Sequence, residues 1–88
     1  MKQRSPVVVS EPHPSVDLLL LPLTSQLEHL QLGEFTLADW ESAGLLFPSA
    51  VKRRLFTLDK AYINQRFGRL APADRTALDR ALRLWLGL

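Results

Sequence analysis

The stretch DLLLLPLTSQ, residues 17–26, decides how the chain is organised. Four leucines lead into Pro22, and a threonine, a serine and a glutamine follow directly after Leu23. Proline breaks a helix interior because it lacks an N–H group and clashes with the preceding turn. The short leucine run therefore predicts a buried strand, with Pro22 at a bulge or at an edge where no N–H group is needed.

The polar end of this stretch has two interpretations. Hydroxyl side chains at the end of a strand commonly bond a nearby backbone N–H group, so Thr24, Ser25 and Gln26 can simply mark a turn. Hydroxyls and amides also exchange hydrogen bonds with phosphate oxygens, so the same side chains are suited to the rim of an active site. Both interpretations remain open at this point.

The composition indicates one soluble, intracellular domain. The chain has 88 residues, of which 47% are hydrophobic and 23% are charged, as in globular proteins. Because it contains no cysteine, disulfides and cysteine-ligated zinc are excluded, and two histidines, His13 and His29, argue against a histidine metal site. The apolar run from Leu18 to Leu23 is far shorter than the roughly 18 residues that cross a bilayer. We therefore expect a cytoplasmic location and no membrane partner.

Charge is distributed unevenly between the two parts of the chain. Residues 1–50 carry two cationic and six acidic side chains, a net charge of −4, whereas residues 51–88 carry nine cationic and three acidic ones, a net charge of +6. A basic half attracts anionic partners such as RNA or an acidic peptide. It is equally consistent with a solvated basic face.

The remaining segments predict short strands and one internal helix. Thr36 and Asp39 have the spacing of a capping box, and Gly44 supplies a stop, which predicts one or two helical turns between them. Residues 27–32 are predicted as a loop and residues 58–63 as a single turn. The segments that favour strands, by β-branched content or alternation, are residues 6–10, 33–37, 51–57 and 64–70.

The last eighteen residues, APADRTALDRALRLWLGL (71–88), form the clearest element. Pro72 suits the first turn of a helix and Gly87 suits its end. One apolar face follows the i, i+3, i+4, i+7 pattern through Leu78, Ala81, Leu82 and Trp85. The predicted fold class is therefore α+β and mainly β, a curved antiparallel sheet covered by a C-terminal helix.

Four segments, in this order, resemble the MazF/PemK family of toxin endoribonucleases. Residues 4–10, RSPVVVS, resemble that family's RPxVVxS/N strand, and residues 16–26 resemble its next strand, which ends in Thr-Ser-Gln or a close variant. Residues 33–70 are similar to its run of short strands and turns, and residues 71–88 to its C-terminal helix. The resemblance covers about residues 4 to 88.

The resemblance implies a fold, an activity and a site. The family has an SH3-like or CcdB-like barrel with added helices, forms homodimers, cleaves single-stranded RNA without a metal or cofactor, and is neutralised by a small antitoxin. Carried over by position, the family arginine corresponds to Arg4 and the family hydroxyl to Thr24, as catalytic residues. The expected substrate-binding residues around them are Ser25, Gln26, Lys52 and Arg54.

Two departures from the family pattern keep other interpretations open. The family usually has a β-hairpin before the arginine, so residues 1–88 are expected to form a single domain with an incomplete barrel, unless the true start lies upstream. Ser5 also separates Arg4 from Pro6, and a shift of one residue turns a strand side chain to the opposite face. The alternative to an active enzyme is a shortened, inactive remnant that binds RNA or an antitoxin-like peptide, or acts as a dimerisation module.

Overall fold

The computed structural model describes residues 6–11, 17–59 and 68–88. Within these ranges the chain forms six short strands followed by one helix. The strands are β1 (Val7–Val8), β2 (Leu18–Leu21), β3 (Leu23–Thr24), β4 (Phe35–Thr36), β5 (Ala50–Val51) and β6 (Phe56–Leu58), and the helix is α1 (Pro72–Leu86).

The strands form two antiparallel sheets of three strands each. The first has the order β1-β2-β6 and the second the order β3-β5-β4. The predicted α+β class, mainly antiparallel and with a C-terminal helix, is confirmed. The described strands do not close into a barrel.

Pro22 is the point at which the chain passes from one sheet to the other. β2 ends immediately before it in the first sheet, and β3 begins immediately after it in the second. Pro22 has no N–H group to donate, but its carbonyl accepts a hydrogen bond from the Lys52 N–H at 2.9 Å. The predicted buried strand is confirmed, because β2 and β3 both contribute buried leucines. Pro22 separates these two strands of different sheets, instead of lying at a bulge or an edge within one strand.

The hydrophobic core joins both sheets to the terminal helix. Its buried members are Leu21, Leu23, Leu37 and Val51. The partly buried side chains packed against them are Val7, Val9, Phe35, Trp40, Leu45, Leu70, Leu78, Leu82 and Trp85. Burying each large aliphatic side chain stabilises the fold by about 1.5–3 kcal/mol, so burial of this cluster is the main contribution that holds the helix on the sheets.

The helix begins and ends where the sequence predicts. Pro72 occupies its first turn, and Gly87 follows its last residue in the left-handed conformation with φ of 73°. The Leu88 N–H then donates to the Arg83 carbonyl at 2.9 Å, which closes the helix end. An i, i+4 ion pair lies on its exposed side, with Arg83 Nε 3.0 Å from Asp79 Oδ2.

The predicted internal helix is wrong. Residues 38–44 form consecutive turns, in which the Leu45 N–H donates to the Trp40 carbonyl at 3.2 Å. Asp39 accepts hydrogen bonds from the Ser42 N–H and hydroxyl at 3.2 and 2.6 Å, instead of pairing with Thr36 as a capping box. The backbone N–H groups at the start of this segment are bound by a side chain from α1, so no local signal decides their conformation.

The strand predicted over residues 51–57 divides into two. Val51 ends β5 in the second sheet, and Phe56 begins β6 in the first. Between them the Arg54 N–H donates to the Lys52 carbonyl at 3.0 Å, which turns the chain out of the ladder. The prediction over 33–37 is confirmed by β4. The turn predicted over 58–63 and the strand over 64–70 lie largely outside the described residues.

Candidate nucleic-acid interface

The predicted catalytic pair is divided between described and undescribed parts of the chain. Arg4 lies outside the described residues, so its orientation toward Thr24 stays a prediction. Thr24 is half-buried at the end of β3. Ser25, also half-buried, and the exposed Gln26 follow it directly.

Thr24 forms the local turn that its position predicts. Its Oγ1 accepts a hydrogen bond from the Gln26 N–H at 3.1 Å. A hydroxyl that accepts one hydrogen bond retains its own O–H for donation to another group. The turn-forming interpretation is therefore confirmed, and it fixes the hydroxyl in place without using up its donor.

The pairing of the second sheet places Thr24 in a row of side chains on one face. Thr24 lies opposite Ala50, and Ala50 lies opposite Thr36 on its other side. Directly opposed residues of an antiparallel pair point to the same face. The adjacent row, Leu23, Val51 and Phe35, belongs to the core beneath α1. The two threonines therefore lie on the face directed away from the helix.

The next row on that face contains a cross-strand ion pair. Extending the β4–β5 pairing by one residue brings Glu34 opposite Lys52, and the Lys52 Nζ lies 2.9 Å from Glu34 Oε1. The exposed fraction of the side chain is 34% for Lys52 and 2% for Glu34. Lys52, predicted as a substrate-binding residue, is thus beside the threonine row with its ammonium group bound to a carboxylate.

Glu34 binds more than the lysine. Its Oε1 also accepts from the Gln31 N–H at 2.6 Å, and its Oε2 accepts from the Arg53 N–H at 2.7 Å. Burial raises the pKa of the Glu34 carboxyl, but the hydrogen bonds from Arg53, Gln31 and Lys52 outweigh that effect and leave the pKa below its ordinary value. The group is therefore held as a carboxylate that accepts three hydrogen bonds.

The basic segment Lys52–Arg54 continues from this ion pair. Arg53 and Arg54 are exposed, and Arg54 is one of the predicted substrate-binding residues. The sheet places the segment beside the Thr24 row, because the Lys52 N–H donates to Pro22, two residues before Thr24. The structure therefore brings Lys52 close to Thr24 at the second sheet, and Arg54 follows Lys52 by two residues.

Asp74 is a second buried carboxylate that sequence reasoning did not single out. It is 2% exposed, and its two carboxylate oxygens accept from the Ala38 and Asp39 N–H groups at 2.7 and 2.9 Å. The sequence pattern places it only at the positive end of its own helix. Its partners lie more than thirty residues away, so no local pattern reveals them. Nor does a local pattern reveal the contact of Glu34 with the Arg53 N–H, nineteen residues away.

Asp39 carries a smaller local perturbation. The hydrogen bonds from the Ser42 hydroxyl and N–H lower the pKa of the Asp39 carboxyl, because both favour its charged form.

Within the described ranges, no three His, Asp or Glu side chains gather as a set of metal ligands. Of the same residues, α1 is the one helix, and it is too short and too charged to cross a bilayer.

Together these features define a small α+β fold with a polar sheet face directed away from its helix and an exposed basic segment after β5. Residues 1–86 match the family described as PemK-like, MazF-like toxin of type II toxin-antitoxin system. Because the match spans nearly the whole chain, the protein belongs to this family, and the resemblance seen in the sequence is confirmed. A comparison with curated proteins found no match.

Proposed function

We propose that the protein is the toxin component of a type II toxin-antitoxin system and acts as a metal-independent endoribonuclease on single-stranded RNA. Family membership supports the toxin assignment. The observation that supports the RNA assignment is the fixed Thr24 hydroxyl on β3, next to β5, from whose end the basic segment Lys52–Arg54 extends. Cationic side chains bind the phosphates, and single-stranded bases are open to contact.

The proposed chemistry uses the nucleophile that RNA supplies. The 2′-oxygen forms a bond to phosphorus and loses its proton, the bond from phosphorus to the 5′-oxygen breaks, and that oxygen takes up a proton. The products are a 2′,3′-cyclic phosphate and a 5′-hydroxyl. Arg4 stabilises the charge on the phosphorane through its guanidinium group, and Thr24 orients a phosphate oxygen. Ser25, Gln26, Lys52 and Arg54 border the bound strand.

The other proposed properties follow from the family. Residues 1–88 form a single domain of the SH3-like kind, located in the cytoplasm and neutralised by a small antitoxin. We also propose a homodimer. The end of α1 favours it, because Leu84, Leu86 and Leu88 each expose more than half of their surface. Sedimentation of the wild-type chain as a monomer would contradict this.

Cleavage of single-stranded RNA in EDTA tests the proposed activity. Arg4→Ala and Thr24→Ala should each lower the cleavage rate roughly 10²-fold or more, because each removes a group that stabilises the transition state. Thr36→Ala is the matched control, since Thr36 is exposed on the same face across Ala50. It should cleave like the wild type.

Three results would change the proposal. Equal cleavage by all four proteins would remove Arg4 and Thr24 from the site. Salt-dependent RNA binding without any cleavage would favour the inactive, RNA-binding remnant. The absence of both binding and cleavage would favour the antitoxin-binding or dimerisation module.

A further inference from the structure

Three consecutive backbone N–H groups fix the basic segment Lys52–Arg54. The Lys52 N–H donates to the Pro22 carbonyl at 2.9 Å and the Arg54 N–H to the Lys52 carbonyl at 3.0 Å. Between them, the Arg53 N–H donates to Glu34 Oε2 at 2.7 Å. β5 ends at Val51, so beyond that residue the path of the segment depends on this side-chain contact.

Glu34 makes this contact from a buried position. Its side chain is 2% exposed, and its carboxylate also binds the Gln31 N–H and the Lys52 ammonium group. A dissolved RNA strand therefore has almost no access to Glu34. Glu34 can therefore influence binding only through its charge or through the segment that it holds.

The held segment presents two guanidinium groups. Arg53 and Arg54 are both exposed, whereas the charge of the preceding lysine is directed to Glu34. Guanidinium groups bind phosphate oxygens with two parallel hydrogen bonds, so the strength of this binding depends on how the groups are oriented. A backbone that is already fixed before binding avoids the entropy cost of ordering it in the complex.

We propose that Glu34 is a positioning residue of the RNA site, whose carboxylate fixes Lys52–Arg54 so that Arg53 and Arg54 meet consecutive phosphates. This rests on the proposed action on single-stranded RNA. It adds Arg53 as a phosphate-binding residue. Lys52 then acts by its ion pair with Glu34.

The direction in which one substitution changes the RNA affinity distinguishes this role from an effect of charge alone. Glu34→Gln removes a negative charge beside a basic segment, which by charge alone strengthens RNA binding. The glutamine also replaces one carboxylate oxygen with an NH₂ donor. If its remaining oxygen keeps the two donors at Oε1, the NH₂ group faces the Arg53 N–H, which releases the segment. We expect Glu34→Gln to bind RNA at least several-fold more weakly than the wild type, despite the favourable change in charge.

The probe is a short single-stranded RNA with 2′-O-methyl groups, which cannot supply the nucleophile and so reports binding alone. Affinity is measured over a series of salt concentrations, at a temperature where melting curves show each variant folded. The slope of log K against log salt should flatten by about 0.7 for each phosphate that the protein ceases to neutralise. Arg53→Gln and Arg54→Gln should each flatten the slope by that single step, and Glu34→Gln should flatten it beyond either.

Glu28→Gln and Glu41→Gln are the matched controls, because both carboxylates are exposed and the change in charge is identical. They should bind as tightly as the wild type or more tightly. Glu34→Asp provides a milder variant with no change in charge. Its side chain is one methylene shorter and cannot reach all three donors, so it should also weaken binding.

Two outcomes overturn the proposal in distinguishable ways. If the wild type binds RNA but Glu34→Gln binds more tightly and Glu34→Asp is unchanged, Glu34 has no positioning role, and the proposed function stands. If the folded wild type binds no single-stranded RNA at any salt concentration, both proposals fail.

Discussion

Asp74 links the first turn of α1 to a turn that precedes it by 36 residues in the chain. The Ala38 and Asp39 N–H groups that it binds are those that a helix would leave without partners at its start. Because a buried carboxylate satisfies both, the start of the turns over residues 38–44 is held by a residue of α1. The local pattern of Thr36, Asp39 and Gly44 gives no sign of this contact.

We predict that Asp74→Asn destabilises the fold by about 1–3 kcal/mol. Asparagine keeps one acceptor oxygen, but its NH₂ group faces the second N–H and leaves it unsatisfied in a buried position. Urea unfolding measures the change. Asp79→Asn is the matched control on the same helix, where an exposed pair with Arg83 is worth less than about 0.5 kcal/mol. Equal destabilisation of the two variants would contradict the assignment.

The lowered pKa of Glu34 predicts how the stability of the fold depends on pH. Its pKa in the folded protein is lowered from the ordinary value of 4.5, so its contribution to stability is present above pH 4.5 and is lost as the pH falls through the folded value. The difference in unfolding free energy between the wild type and Glu34→Gln should therefore be constant near neutral pH and should shrink in acid. Urea titrations at a series of pH values measure it. A difference that persists at the acid end would show that the hydrogen bonds do not depend on ionisation.

At the scale of elements, the close approach of β4 to α1 depends on Gly33. Gly33 has a φ of +84°, and a Cβ atom there would lie 2.4 Å from Trp85 Nε1. The same indole N–H donates to the Leu32 carbonyl at 2.9 Å, and Trp85 packs against the core. A side chain at residue 33 would push the helix away from the sheet edge.

We predict that Gly33→Ala is more destabilising than Gly87→Ala. Both glycines have positive φ, so both substitutions carry a cost of roughly 1–2 kcal/mol for the left-handed backbone. A Cβ at Gly87 would meet no atom within 4 Å, whereas at Gly33 it would displace the Trp85 ring and cost about 1–3 kcal/mol more. Thermal melting followed by tryptophan fluorescence compares the two. Equal shifts in Tm would mean that the ring moves aside freely.

The elements that the sequence predicts are those whose signals are local. The leucine run before Pro22 and the apolar stripe of α1 carry their own periodicity, and both form as expected. The strand expected over 51–57 does not, because the Arg53 N–H bonds to Glu34, nineteen residues earlier in the chain. Thr24 could be predicted from the family pattern, and Arg54 from the run of basic residues that contains it. The contacts of Glu34 and Asp74 could not be predicted, since only the folded chain brings these side chains to their partners.

At the scale of the whole molecule, the fold determines where the basic residues of the second half of the chain lie. Arg54 lies in the basic segment beside the threonine row, while Arg80 lines a groove between α1 and β4 with Gly33 and Phe35. The two arginines therefore belong to different elements of the fold, Arg80 to α1 and Arg54 to the segment after β5. A basic half of a sequence can attract RNA as a diffuse charge or as a defined site, and these two residues distinguish the possibilities.

We predict that Arg54→Gln and Arg80→Gln differ in the salt dependence of RNA binding, although each removes one positive charge. Because the proposed RNA site uses Arg54 to neutralise a phosphate, Arg54→Gln should reduce the slope of log K against log salt by about 0.7, and Arg80→Gln should keep the wild-type slope. Fluorescence anisotropy with 2′-O-methyl single-stranded RNA measures both slopes. Equal reductions would mean that RNA responds to the net charge of the chain, and the interface would then have to be sought on a surface that includes α1. A reduction confined to Arg54→Gln would locate the RNA on the sheet face where Thr24 lies, which is where the proposed cleavage chemistry requires it.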